Sequence, residues 1–124
     1  MNAKDLFVVR VYIDPSYSSI QYAMIRKSLK QLASKTGVLH FKILREKPTN
    51  RQPFLNYGLH SGTGCSSYIG LNRSSFTPDG QPITLSSNCF TIGIIQHETM
   101  HALGKLKVFH IMHIFFKKFY SIIS

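Results

Sequence analysis

His97, Glu98 and His101 stand in the stretch QHETMHALG as His-Glu-x-x-His. Residues four apart on a helix project from one face, one turn apart, so two imidazoles in this spacing can bind a single ion at about 2.0–2.1 Å. Glu98 lies beside the first of them. It can face a water whose pKa a zinc ion would lower to about 7, take that water's proton and pass it to a leaving amine. Such chemistry hydrolyses a peptide bond. The same triplet also suits a helix whose histidines never meet a metal, and Gly104 bears on that choice. The longer signature His-Glu-x-x-His-x-x-Gly-x-x-His places glycine three positions past the second histidine, where the helix must end sharply to bring a third ligand back. Gly104 occupies that place.

These residues need a helix to carry them and a sheet to hold the helix. From Phe90 or Thr91 the apolar period becomes helical: Ile94, Ile95, Thr99, Ala102 and Leu103 accompany the histidines, and Gly104 sits where the helix is expected to end. Upstream, LFVVRVYI (6–13) is β-branched and aromatic and stops at Asp14-Pro15, which predicts a buried strand closed by a turn. A helix follows, capped by Ser16 or Ser18 and stopped at Gly37. Its expected core stripe is Ile20, Ala23, Met24, Ile25, Leu29 and Leu32. VLHFKIL (38–44) predicts a second strand, 45–53 a loop, and FLNYGLH (54–60) a third strand. CSSYIGL and PITL predict shorter strands flanking the turn-rich NRSSFTPDGQ.

The chain of 124 residues, 44% hydrophobic, is sized for one small domain with a single core. Its formal charge of +10 comes from fifteen Lys and Arg against five acids. The basic residues are dispersed from Lys4 to Lys118 with no recognised nucleic-acid motif, so no nucleic-acid partner is expected. Asp5, Arg10 and Asp14 interrupt the N-terminal apolar run, which leaves no signal peptide in this sequence. No run approaches the ~20 apolar residues that span a bilayer. The tail from Leu106 to Ile123 comes nearest, but Lys107, His110, His113, Lys117 and Lys118 break it. Cys65 and Cys89 are too few for a disulfide framework and enough for one bridge; in a reducing compartment they would be two thiols.

NCFTIGIIQHETMHALG, together with GTGCSSYIG and YIDPSY, closely resembles the astacin family of zinc endopeptidases, a branch of the metzincins. The resemblance covers roughly residues 8 to 104, the N-terminal half of that catalytic domain. Its fold would be α+β: a zincin-like N-terminal subdomain with a twisted mixed sheet of about five strands and two long helices, the second carrying His-Glu-x-x-His. It implies one Zn2+ ion on His97 and His101, Glu98 as acid/base, a peptide or protein substrate, and secretion. The family's Gly-Cys-x-Ser-Tyr-x-Gly edge strand matches Gly64 to Gly70, which implies a Cys65–Cys89 bridge and a substrate-binding role for Ser66, Ser67 and Tyr68. In the family an extended substrate pairs along such an edge. An ordinary edge strand with Tyr68 as packing is the alternative.

The sequence also departs from the family. The third histidine belongs ten residues after His97, where this chain has Lys107. A protonated lysine repels a cation and must lose its proton, at a pKa near 10.4, before it can ligate. His110 and His113 lie at no favoured spacing. The family's His-Glu-x-x-Arg continuation, Met-turn and metal-facing tyrosine do not follow Gly104. Residues 1–104 therefore read as the N-terminal part of the peptidase domain, with 105–124 as a divergent basic apolar tail. Gly, Pro, Ala and Arg supply 22 of the first 104 residues and none of the last twenty, all of which have A/T-rich codons. Gly104-Lys105-Leu106 can be encoded across a splice-donor-like GTAAGT. The tail is accordingly read as translated intron, with a natural basic end as the alternative. The function expected is zinc endopeptidase, truncated and short of one ligand; the second reading is a non-catalytic product or a peptide-binding pseudoenzyme.

Overall fold

The β-branched run near the N-terminus forms β1 (Phe7–Ile13), whose alternate residues Val9, Val11 and Ile13 are buried. The computed structural model describes residues 7–49, 52–60, 64–67 and 80–105. After β1 the chain turns at Asp14, whose carboxylate accepts the backbone N–H of Ser16 at 2.8 Å. That bond holds the Asp14 pKa below its ordinary value. Ser16 is thereby spent on the turn, and Ser18 caps the helix. Ser18 Oγ accepts from the Gln21 N–H at 3.1 Å, and Gln21 Oε1 accepts from the Ser18 N–H at 2.9 Å, a reciprocal capping box.

The helix so started is α1 (Ser19–Thr36). It ends where Gly37 takes the left-handed conformation, φ 69°, and its N–H returns to the Ala33 carbonyl at 2.9 Å. Its buried positions are Ile25, Ser28, Leu29, Leu32 and Thr36. This corrects the expected stripe. Ile20 is 77% exposed and Ala23 is also exposed, because the face that meets the sheet is set by the four-, seven- and eleven-residue spacings from Ile25.

Four further strands follow: β2 (Leu39–Leu44), β3 (Leu55–Gly58), β4 (Cys65–Ser67) and β5 (Gln81–Leu85). Their order in the sheet is β2-β1-β3-β5-β4. β1 pairs in parallel with β2 and β3, and β3 in parallel with β5. β4 runs antiparallel to β5 and ends the sheet, in register Cys65 to Leu85, Ser66 to Thr84 and Ser67 to Ile83. The fold is the expected α+β arrangement, a five-stranded mixed sheet with two helices. β3 is shorter than the expected 54–60, and the CSSYIGL strand is described only at 65–67.

Every residue of β3 is buried, including Tyr57 at 0% exposure. The entry to β5 is equally tight. Gly80 has φ 68°, and a Cβ placed there would stand 2.7 Å from both the ring and the carbonyl oxygen of Phe54. Gln81 N–H donates to that same carbonyl at 2.8 Å, so the close approach belongs to the β3–β5 pairing.

A one-turn 3-10 helix at Ser87–Cys89 leads into α2 (Ile92–Lys105), which packs on β4, β5 and α1, while α1 packs on β2. α2 runs through Gly104 to Lys105 and does not stop at the glycine as expected. Gly104 sits within the helical span, not among the left-handed glycines.

Candidate metal and active site

α2 buries Ile95, Gln96, Thr99, Met100, Ala102 and Leu103, which fixes its rotation about its axis. His97 and Glu98 are left half-buried and His101 exposed, on the face turned away from the core. The two imidazoles converge. Their Nε2 atoms are 2.9 Å apart, and their ring centroids lie 4.4 Å apart at an interplanar angle of 79°. Two ligands at tetrahedral angles around an ion, each about 2.05 Å away, would stand about 3.3 Å apart. A few tenths of an ångström of side-chain rotation closes that difference. The pair therefore fits two adjacent corners of a zinc coordination sphere. Among the described residues no group of three or more His, Cys, Asp and Glu comes together, and Lys107 lies outside them.

Buried hydrogen bonds from neighbouring positions hold this helix. Gln96, one residue before His97, donates its side-chain amide to the Ser28 carbonyl of α1 at 3.1 Å. Thr99, one residue after Glu98, meets the hydroxyl of Tyr57 at 2.6 Å, and its own hydroxyl donates to the Ile95 carbonyl at 2.7 Å. Tyr57 therefore donates to Thr99. Burial pushes the Tyr57 pKa well above the ordinary phenol value. The motif is thus pinned to α1 at its start and to β3 in its middle. Neither anchor is legible in the sequence, where Tyr57 reads like any strand aromatic and Thr99 like part of an apolar stripe.

The edge beside the helix is held covalently. Cys65 at the start of β4 is bonded to Cys89 at the entry to α2, with a sequence separation of 24 and Cα atoms 5.7 Å apart. Ser86 reinforces the same point, with its backbone N–H and its hydroxyl both reaching the Gly64 carbonyl at 3.1 Å. Tyr17, from the YIDPSY segment, donates its hydroxyl to the Leu85 carbonyl at 2.8 Å and stacks edge-on against Phe90 with centroids 5.3 Å apart. Burial raises its pKa to about 12. Ser66 and Ser67 lie on β4, the terminal strand, and Tyr68 lies outside the described residues.

Residues 4–113 match the peptidase family described as Astacin. The chain belongs to the astacin family. The match extends past Gly104 and covers most of the sequence. Among curated astacin relatives, zinc metalloproteinase nas-4 of Caenorhabditis elegans is 30% identical over 92 residues, 74% of this chain and 26% of the relative. Embryonic protein UVS.2 of Xenopus laevis is 37% identical over 91 residues, 72% of this chain and 15% of that protein. High choriolytic enzyme 1, a hatching enzyme zinc-protease from Oryzias latipes, superposes with a TM-score of 0.61 at 29% identity, over 82% of this chain and 46% of its own. This astacin chain thus spans about a quarter or less of those curated relatives and about half of that solved structure.

Proposed function

We propose that this chain is the N-terminal half of an astacin-type zinc endopeptidase domain, with His97 and His101 as ligands of one zinc ion and Glu98 as general base and acid. The observation that carries the reading is the convergence of the two Nε2 atoms to 2.9 Å on the outward face of a helix held at Gln96 and Thr99. Zinc, when bound there, supplies Lewis acidity that brings the pKa of a water toward about 7. The chain's own contribution is positional and protonic. The Glu98 carboxylate, adjacent to the first ligand, accepts the proton of the attacking water and delivers it to the leaving amine nitrogen. The outer edge of β4 suits an extended substrate, laid antiparallel to Ser66 and Ser67, because β4 ends the sheet among the described residues and α2 packs against it; the family resemblance extends the same role to Tyr68.

Lys107 at the third-ligand position favours a second reading for this polypeptide: weak metal binding and little or no hydrolysis, with residues 105–124 acting as a divergent tail. The Cys65–Cys89 bridge supports an oxidising, extracellular setting. One set of measurements separates the two readings. The endopeptidase reading expects zinc retained on purification and casein hydrolysis lost on chelation and on Glu98→Gln. The weak-site reading expects Zn2+ binding that vanishes in His97→Ala/His101→Ala, tightens at least about tenfold in Lys107→His, and is accompanied by no hydrolysis in the parent chain. No zinc binding in the parent or in Lys107→His would sink both.

A further inference from the structure

The edge of the sheet opposite β4 carries a second feature, in which the zinc helix takes no part. β2 ends the sheet there, paired with β1 on one side, and four strand spacings, about 19 Å, separate it from β4. A groove of about 610 Å³ runs between β2 and α1. Its floor is apolar, formed by Leu29 of the helix and by Phe41 and Ile43 of the strand. Its rim is cationic: Arg26, Lys27 and Lys30, all exposed, line it from the helix, and no Asp or Glu among the described residues does. Arg26 is held over the Tyr22 ring, 6.0 Å from its centroid.

The strand side shows which part of β2 the groove reaches. Successive strand residues point to opposite faces of the sheet. Phe41 and Ile43 share one face and His40 belongs to the other, yet all three line the groove. The groove therefore wraps the outer edge of β2, where a terminal strand offers backbone N–H and C=O groups to a further strand. An apolar floor, a strand edge with no further strand beside it among the described residues and a cationic rim suit a ligand that is extended, carries apolar side chains on one side and bears negative charge.

We propose that the α1–β2 groove docks an extended acidic peptide segment of a partner protein, which adds a sixth strand beside β2. Its apolar side chains cover Phe41 and Ile43, and its carboxylates meet Arg26, Lys27 and Lys30. A sulfated polysaccharide would satisfy the rim but leave the strand edge unpaired. Binding here is independent of the metal and of proteolysis.

Fluorescence anisotropy on the full chain tests this, with a labelled peptide as probe whose alternate residues on one face mix glutamate with valine and phenylalanine and whose other face carries threonine, because Phe41, Ile43 and the cations of α1 lie on one side of the sheet. The acidic peptide is expected to bind, and its lysine counterpart is not. Arg26→Glu/Lys30→Glu should weaken binding at least about tenfold, and Lys27→Glu alone about threefold should the double variant fail to fold by circular dichroism. An analogue N-methylated at alternate amides should lose binding, because strand addition needs those N–H groups. His97→Ala/His101→Ala should bind as the parent does. Equal binding by the charge-reversed variants, equal binding of the methylated analogue, loss of binding with the histidines, or binding of heparin with none of the acidic peptide would each overturn the proposal.

Discussion

The Tyr57 hydroxyl sits 2.6 Å from Thr99 Oγ1, inside the core, and joins the central strand of the sheet to the helix position between Glu98 and His101. Thr99 spends its own proton on the Ile95 carbonyl, so it accepts from Tyr57. Thr99→Val should therefore cost more than its change in shape implies, because it strands the Tyr57 hydroxyl without a partner in a buried site. The expected loss is about 1–3 kcal/mol in urea denaturation. Tyr57→Phe leaves Thr99 bonded to Ile95 and should cost about 0.5–1.5 kcal/mol. The double variant should lose less than the sum of the two, and strict additivity would contradict the coupling.

Cutting the Cys65–Cys89 bridge should destabilise the chain by about 3.5 kcal/mol, the chain-entropy value for a loop closed across a separation of 24 residues. Cys65→Ser/Cys89→Ser and the reduced parent should unfold at similar urea concentrations. Added reductant should move the parent's midpoint and leave the double variant's unchanged. A parent insensitive to reductant would mean that the bridge contributes no stability.

Gly80→Ala tests the β3–β5 junction. The new methyl meets Phe54 at 2.7 Å in both ring and backbone, and φ 68° disfavours any side chain. About 1–3 kcal/mol of destabilisation is expected. The same change at Gly37, also at positive φ but with nothing within 4 Å, meets only the conformational penalty and should cost less. Equal thermal shifts for the two would show that contact with Phe54 is not what disfavours alanine.

Alkali should unfold the protein from about pH 10 upward. Burial holds the Tyr17 pKa at about 12 and raises that of Tyr57, against about 10 in an unfolded chain. Between the two values the unfolded state releases protons that the native state keeps. The stability these tyrosines contribute is therefore complete below pH 10 and lost as pH rises through their native values. Tyr17→Phe should flatten the part of the decline that Tyr17 causes. A denaturation midpoint constant from pH 9 to about pH 12 would contradict this.

How far the sequence can be read depends on whether the determining contact is local. β1, α1 and β2 lie close to where β-branched runs, Asp14-Pro15 and Gly37 place them, because turn and cap chemistry act within a few residues. The histidine pair follows from helix spacing alone. Ile20 falls outside the core because periodicity shows that a helix has a face but does not fix its phase; contact with the sheet does, and it selects Ile25, Leu29 and Leu32. The Tyr57–Thr99 bond spans 42 residues and Gln96 to Ser28 spans 68, so nothing in either neighbourhood announces them. The β2 groove is invisible in the sequence for a related reason. Arg26, Lys27 and Lys30 read as ordinary scattered cations until α1 is laid beside a terminal strand.

The sheet order has a consequence for cooperativity. β1, α1 and β2 make a unit contiguous in sequence from residues 7 to 44, and the disulfide closes a second unit around β4 and β5. Within the sheet only β3 touches both, with β1 on one side and β5 on the other. Its four buried residues are the seam of the sheet. Loosening them would let hydrogen exchange report two openings with separate free energies where the intact chain is expected to show one.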